Sequence, residues 1–258
     1  MADEPRRRLV VRRVAVGRSV GAGGRAASIR AAQPALLRPL RQVLAAGSTA
    51  QNRALRQTGL LTARPGPFGE QLDTFESRAF AVCDHQLAHV YVRERADVPG
   101  VRDVLAALPG VARVLAGDER ADVDLVHERS GELVLLAERD AWLAYPFWLD
   151  DRQAPDYART VDIHRKPGYD PCELFFDPRL WWPRGRATWR LLQKKLGCRA
   201  LLDVVPLDPS LVRGSHGLPA AEAVDRPLLI GAGPIQDSAE MPMTAVTGLI
   251  LERLGLDA

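Results

Sequence analysis

The sequence predicts an α/β domain, with a β-sheet flanked by helices, within a chain of 258 residues. Apolar residues make up 47% of the chain, which is enough for a packed core. Short segments rich in strand-forming residues alternate with segments of helical apolar spacing. Turn-forming pairs such as Pro109-Gly110 and Ser130-Gly131 separate several of them. Such alternation is typical of α/β architecture, and the length allows one domain or two small ones.

The first fifty residues differ in composition from the rest. They hold ten Arg, no Lys and only two carboxylates, Asp3 and Glu4, so they carry about +8. Because the whole chain carries +3, residues 51–258 carry about −5. The high overall pI therefore belongs to the N-terminal segment and is weak evidence for a nucleic-acid partner.

Three interpretations of residues 1–50 remain open. The segment contains a Gly-Ala-Gly-Gly run at 21–24 and no aromatic residue, and only 34–46 could form a modest helix. It could be a disordered basic arm, an Arg-rich organellar transit peptide, or a frame-shifted or misassigned start. We expect residues 1–50 to be a basic, disordered or non-native segment, and residues 51–258 to be the α/β domain.

Local patterns place the elements of that domain in order. The predicted helices cover residues 52–61, 98–108, 188–196 and 243–254, the last two followed by Gly197 and Gly255. The predicted strands cover residues 80–92, 111–115, 133–137 and 228–230. A long loop is expected over 150–185. Six aromatic residues are expected in the core or in a subdomain contact: Trp142, Tyr145, Phe147, Trp148, Trp181 and Trp182. The alternative is a stacking surface for a base or sugar.

Composition also bears on the surroundings of the protein. No stretch reaches the roughly 18 uninterrupted apolar residues that a membrane span needs, so we expect no membrane partner. Cys83, Cys172 and Cys198 are sparse and lack C-x-x-C spacing, so neither a disulfide framework nor a zinc–thiolate site is indicated. We therefore expect a cytoplasmic location, where thiols stay reduced.

Asp84 and His85 form the first candidate for a metal site. Carboxylates and imidazoles together suit zinc or a similar divalent ion. Adjacent residues of a regular strand point to opposite faces, so both could serve one metal only if the strand ends or bulges there. The alternative is a polar strand end whose side chains bond locally.

Asp162 and His164 form the second candidate. A spacing of two in an extended segment puts both side chains on one side, which permits chelation of one ion. Arg165 and Lys166 beside them could meet phosphate oxygens. The alternative is a Pro-Gly turn with a solvated run of charges.

His216, in the loop Gly214-Ser215-His216-Gly217, is the strongest single candidate. Its small neighbours let the backbone approach a metal closely. The alternative is a loop histidine bonded to the backbone. His89 and His127 are assigned to structure, since His89 shares a strand face with apolar residues and His127 precedes a charged turn.

These motifs carry a resemblance to a known family. From about residue 52 to 256 the chain resembles the C-terminal half of a type I phosphodiesterase/nucleotide pyrophosphatase of the alkaline phosphatase superfamily. The histidine loop at 214–217 and the final helix, ending in Leu254-Gly255-Leu256, carry most of it. The resemblance implies an alkaline-phosphatase-like sheet, a divalent metal such as zinc, and a phosphorylated small-molecule or nucleotide substrate. It implies metal contacts by His216, Asp162, His164, Asp84 and His85.

The chain departs from the family pattern upstream. It has no Asp or Glu between Glu4 and Glu70 and no His before His85, whereas the family takes a metal-binding Asp and a Ser or Thr nucleophile from its N-terminal part. Gln86 also stands where the family has Gly after Asp-His. We therefore expect an incomplete fold and a phosphoester, phosphodiester or pyrophosphate hydrolase by ancestry, with little or no activity. The alternatives are a non-catalytic pseudoenzyme or binding module and, more weakly, a nucleic-acid-binding protein acting through its basic arm.

Overall fold

The chain divides into two compact units. A computed structural model describes residues 8–13, 47–162, 164–218, 227–231 and 240–256. One unit is Gln42–Leu218, and the other combines Met1–Arg41 with Pro219–Ala258. The sequence predicted a different division, into residues 1–50 and 51–258. The predicted helix over 34–46 lies outside the described residues.

The described elements are a mixture of strands and helices, as the α/β prediction requires. The strands are β1 (Arg8–Arg13), β2 (Gly47–Thr49), β3 (Thr62–Arg64), β4 (Gln71–Asp73), β5 (Ala79–Asp84), β6 (Leu87–Val92), β7 (Val111–Ala116), β8 (Leu133–Ala137), β9 (Ala141–Leu143), β10 (Leu228–Gly231) and β11 (Glu240–Pro242). The α-helices are α1 (Gln51–Gln57), α2 (Val98–Ala106), α3 (Pro183–Lys195) and α4 (Val246–Leu254). None of the described helices is long and apolar enough to cross a membrane.

The Gln42–Leu218 unit is built on a four-stranded antiparallel sheet in the order β5-β6-β8-β7. All five residues of β8 are buried, whereas β5 and β6 alternate between buried and half-buried positions. Alternation of this kind indicates a sheet with one face on the core. Helix α1 packs against β5 and α2, and its Leu55 joins Val101 and Leu105 in the core.

The predicted strand over 80–92 is wrong in one respect, because it is two strands. Asp84 pairs with Leu87, so His85 and Gln86 form a two-residue turn between β5 and β6. His85 has a positive φ of 54°, which such tight hairpin turns require. No glycine, asparagine or proline marks the turn in the sequence.

The aromatic set divides between core and surface. Trp142, Tyr145, Phe147 and Trp148 are buried, which confirms the core prediction for these four. Trp181 is 96% exposed and Trp182 is also exposed, so the prediction is wrong for this pair.

Helix α3 begins earlier than predicted and turns its apolar side outward. Pro183 occupies its first turn, where the missing N–H costs nothing. Arg186 and Arg190 both pair with Asp203, which ties the polar side to the protein body. Trp189 and Leu192 are exposed, and α3 has no buried residue.

The other unit, taken by itself, contains a three-stranded sheet and α4. Strand β1 lies between β10, which runs parallel to it, and β11, which runs antiparallel. The strand Arg8–Arg13 was not expected in a disordered arm. Helix α4 ends at Gly255, whose φ of +68° is the left-handed cap predicted for that position.

The three cysteines are free thiols in different surroundings. Cys83 and Cys172 are buried, and Cys198 is exposed. Burial raises the pKa of the Cys83 and Cys172 thiols well above its ordinary value, because the thiolate would lose its hydration. None of the three forms a disulfide.

A loop following Thr160 docks on the end of β5 through backbone contacts. The Cys83 N–H donates to the carbonyl of Pro167 (3.2 Å), and the Tyr169 N–H donates to the carbonyl of Cys83 (2.8 Å). Gly168, between them, has a φ of +115°, and a methyl group there would overlap the backbone of Cys83. Only glycine fits this position without strain.

We expect Gly168→Ala to destabilise the protein by about 2 kcal/mol or more, because it forces both a left-handed alanine and a clash with Cys83. Urea unfolding followed by far-UV circular dichroism measures the effect. Gly100→Ala in α2 is the matched control: its added methyl meets no atom within 4 Å, so it should be neutral or stabilise by up to about 1 kcal/mol. Equal effects of the two substitutions would contradict the docking role of Gly168.

Candidate functional site

The structure brings His85 and His216 together, 131 positions apart in sequence. Their ring centroids lie 3.9 Å apart with the planes tilted by 37°. The Gln86 N–H donates to the carbonyl of His216 at 3.0 Å, which fixes the histidine loop against the β5–β6 turn. Two of the residues predicted as metal contacts therefore meet.

The β5–β6 turn is fixed on its other side as well. The Leu143 N–H donates to the carbonyl of His85 at 2.7 Å. The buried Gln86 amide nitrogen lies 3.1–3.3 Å from the carbonyls of Glu138, Arg139 and Ala141. Gln86 thus has a structural role, since its side chain bonds the segment joining β8 to β9.

The histidine loop reaches the turn through Gly217. This residue has a φ of +120°, and a methyl group on it would lie 3.4 Å from the Gln86 nitrogen and 3.6 Å from the Asp84 carbonyl oxygen. The sequence predicted that this loop approaches a metal; in the structure, Gly217 packs against the backbone of the β5–β6 turn.

His85 is a buried, neutral imidazole near neutral pH. Its exposed fraction is 7%, and burial lowers its pKa, with a further lowering by His216 and an opposing effect of Asp84. Its Nδ1 lies 3.2 Å from the Ser215 hydroxyl, and the Tyr169 ring stacks on it at 4.8 Å. A neutral imidazole can accept the hydroxyl proton, so His85 and Ser215 have the relation of a base to a weak nucleophile.

The contact between Ser215 and His85 was missed in the sequence. The two residues are 130 positions apart, and no local spacing signals the contact. Tyr169 was also missed, because it was assigned to the loop over 150–185. Only the docking of that loop on Cys83 brings its ring to His85.

Asp162 and His164 do not form a larger metal cluster with the two imidazoles. Asp162 forms an ion pair with Arg165 at 3.1 Å, and His164 is exposed. Asp84 is exposed at the end of β5. The strand therefore ends where it must if Asp84 and His85 are to serve one metal. Across the part of the chain that the structure describes, no group of three His, Cys, Asp or Glu side chains could hold a metal ion.

A complete zinc site therefore does not fit the described residues. Catalytic zinc takes three protein ligands and structural zinc takes four. His85 and His216 offer two imidazoles, and His85 Nδ1 is already engaged with Ser215.

The side chain of Lys166 is wholly buried, with an exposed fraction of 0%. Its Nζ contacts Asp170 Oδ2 at 2.8 Å, Glu173 Oε1 at 2.7 Å and the Thr160 carbonyl at 2.9 Å. The ring of Tyr145 lies 5.6 Å from the same Nζ. The sequence placed Lys166 against phosphate oxygens, but its ammonium instead neutralises buried carboxylates.

The two histidines assigned to structure have the expected surroundings. The Gly131 N–H donates to His89 Nδ1 at 3.3 Å, and the Arg129 N–H donates to His127 Nδ1 at 3.1 Å. Burial lowers the pKa of His89, and the charge of Arg120 lowers it further, against a weaker effect of Asp84. His89 is half-buried on the face of β6 that Leu87 and Tyr91 share, as predicted.

Comparisons with protein-family models, with curated proteins and with solved structures found no match to this chain.

Removal of the buried ammonium should destabilise the fold. We expect Lys166→Met to lower the free energy of unfolding by about 3 kcal/mol or more, since it leaves Asp170 and Glu173 buried without a counter-charge. Urea titration measures this change, with exposed Lys194→Met as a control expected to lie within about 0.5 kcal/mol of the parent. A similarly small effect at Lys166 would show that its ion pairs do not stabilise the fold.

The neutral histidines make stability depend on pH. His85 and His89 have a folded-state pKa below their unfolded value of about 6.5, so the unfolded state binds more protons as pH falls. The stabilisation is complete above about pH 6.5 and is lost as pH falls through the folded pKa values. Proton NMR should show both imidazoles titrating at lower pH in the folded chain than in urea. His85→Gln should reduce the loss in free energy of unfolding below pH 6.5. A folded-state imidazole pKa above 6.5 for His85 or His89 would contradict the lowered pKa values.

Proposed function

We propose that this chain is a degenerate metal-dependent phosphoester, phosphodiester or nucleotide pyrophosphate hydrolase that keeps a residual metal site, with little or no hydrolytic turnover of its own. The alkaline-phosphatase-like fold belongs to the same proposal. Its natural ligands would be phosphorylated small molecules or nucleotides. The observation that carries the proposal is the meeting of His85 with His216, since both were predicted as metal contacts from separate motifs.

The same geometry supports weak or absent turnover. Where a divalent ion is bound, it polarises phosphoryl oxygens and lowers the pKa of a bound water. Two imidazoles hold such an ion less firmly than the three or four ligands of established zinc sites. The sequence between Glu4 and Glu70 also offers no carboxylate for a first metal ligand.

A non-catalytic binding module is the second candidate. It is favoured because the described side chains provide no third metal ligand beside His85 and His216. A module of this kind would keep the scaffold and its phosphate-binding groups without the metal.

Zinc analysis and a phosphodiesterase assay test the proposal together. With added zinc, the purified chain should release no p-nitrophenol from bis-p-nitrophenyl phosphate above the background rate. Its zinc content is measured after dialysis first against zinc and then against metal-free buffer. Hydrolysis that is abolished by His216→Ala and kept by His127→Ala would overturn the expected inactivity. His127 is a suitable control because it is exposed and its Nδ1 accepts a local backbone N–H.

The zinc content separates the two candidates. One zinc ion per chain that is lost in His216→Ala would favour a residual metal site of hydrolytic ancestry. A zinc content near zero in both chains would favour the binding module.

A further inference from the structure

The Gln42–Leu218 unit contains a surface cavity of about 520 Å³. Its lining includes Phe68 and Gln71, at and beside β4, together with Tyr157, Arg165 and Arg199. His85 and His216 are not among its lining residues. Its volume falls within the range of about 300–1,000 Å³ that is typical of small-molecule sites.

Arg165 and Arg199 bring two guanidinium groups to the cavity, which the Asp156 carboxylate also lines. The side chains of Arg165 and Arg199 are each 52% exposed. Arg165 Nε contacts Asp162 at 3.1 Å, and Arg199 contacts Asp156 through one terminal nitrogen. A guanidinium carries five N–H donors, so each arginine has several donors beyond those its own carboxylate accepts.

Both arginines are held in place before a ligand arrives. The Arg199 guanidinium lies 3.8 Å from the centroid of the Phe68 ring, which is 50% exposed. Arg165 immediately precedes Lys166, whose buried ion pairs anchor the backbone at this point. Side chains restrained in this way lose less conformational entropy on binding.

The lining also supplies neutral hydrogen-bonding groups. Gln71, Thr74 and Tyr157 line the cavity. Burial, and next the charge of Asp156, raise the pKa of the Tyr157 phenol to about 12, against an opposing effect of Arg165. The phenol therefore keeps its proton at neutral pH and can donate a hydrogen bond.

We propose that this cavity binds a phosphate monoester of nucleotide size, with Arg165 and Arg199 on the phosphoryl oxygens. Arginine forks match the oxygens of phosphate and form charge-assisted hydrogen bonds with them. A dianionic phosphoryl group matches two guanidinium charges better than a single carboxylate does. The volume leaves room for the alcohol part of the ester beside Phe68 and Gln71. The inference goes beyond the proposed function because the cavity requires no metal ion.

Calorimetric titration with AMP in the presence of EDTA tests the inference. AMP should bind, inorganic phosphate should compete with it, and adenosine should bind at least about tenfold more weakly, since the phosphoryl group carries the recognition. Arg165→Gln and Arg199→Gln should each weaken AMP binding about tenfold or more, as expected for loss of one charge-assisted contact. Thermal melts should confirm that both variants are folded.

Arg152→Gln is the matched control. Arg152 is 89% exposed, pairs with Asp150 at 2.6 Å and does not line the cavity, so its loss should leave AMP affinity unchanged. Because EDTA removes any bound divalent metal from the titration, failure of the metal proposal and failure of this one can be told apart. Adenosine binding as tight as AMP, equal AMP affinity in the parent and both cavity variants, or no AMP binding at all would overturn the inference.

Discussion

The burial of one ammonium group organises the region around both candidate sites. A wholly buried Lys166 is tolerated only where several acceptors replace its water, and Asp170, Glu173 and the Thr160 carbonyl do so. All three acceptors belong to the same short stretch of chain as the lysine. Residues 160–173 must therefore curl around the ammonium. This conformation fixes the direction in which the chain runs towards β5.

Residues 160–173 contribute side chains to both candidate sites. On one side Tyr169 stacks on His85, and on the other Arg165 lines the 520 Å³ cavity. The residues between them, including the left-handed Gly168, bond to the backbone of β5. The imidazole pair and the cavity thus share a scaffold while their side chains remain separate, so a substitution in one can leave the other unchanged.

Local signals in the sequence were sufficient where an element depends on neighbours along the chain. The buried strand β8 follows the Ser130-Gly131 turn and has its predicted bounds, and α4 ends where Gly255 supplies a left-handed cap. The hairpin turn at His85-Gln86 could not be predicted, because carbonyls some fifty residues away satisfy the Gln86 amide. Its positive φ is stabilised by these distant contacts rather than by a turn-forming residue.

Two residues of the candidate site could be singled out from the sequence, but their arrangement could not. His216 and His85 could be singled out from glycine-rich and Asp-His motifs, yet their contact depends on how a late loop meets an early hairpin. For Lys166, in contrast, the sequence pattern indicated the wrong surroundings. A Lys beside Arg165 and a Pro-Gly pair has the pattern of a solvated charge run, and only the fold shows that two nearby carboxylates bury it. Arg199 offered no signal at all, because its role arises from stacking on a residue 131 positions away.

The uneven burial of the three thiols has a practical consequence for spectroscopy. Cys83 and Cys172 are shielded from reagents, and their raised pKa values suppress the reactive thiolate. Cys198 is exposed just beyond α3 and is the direct neighbour of Arg199. A maleimide fluorophore or a nitroxide spin label would therefore attach at a single position without any prior mutagenesis, and it would sit beside the cavity whose occupancy it could report.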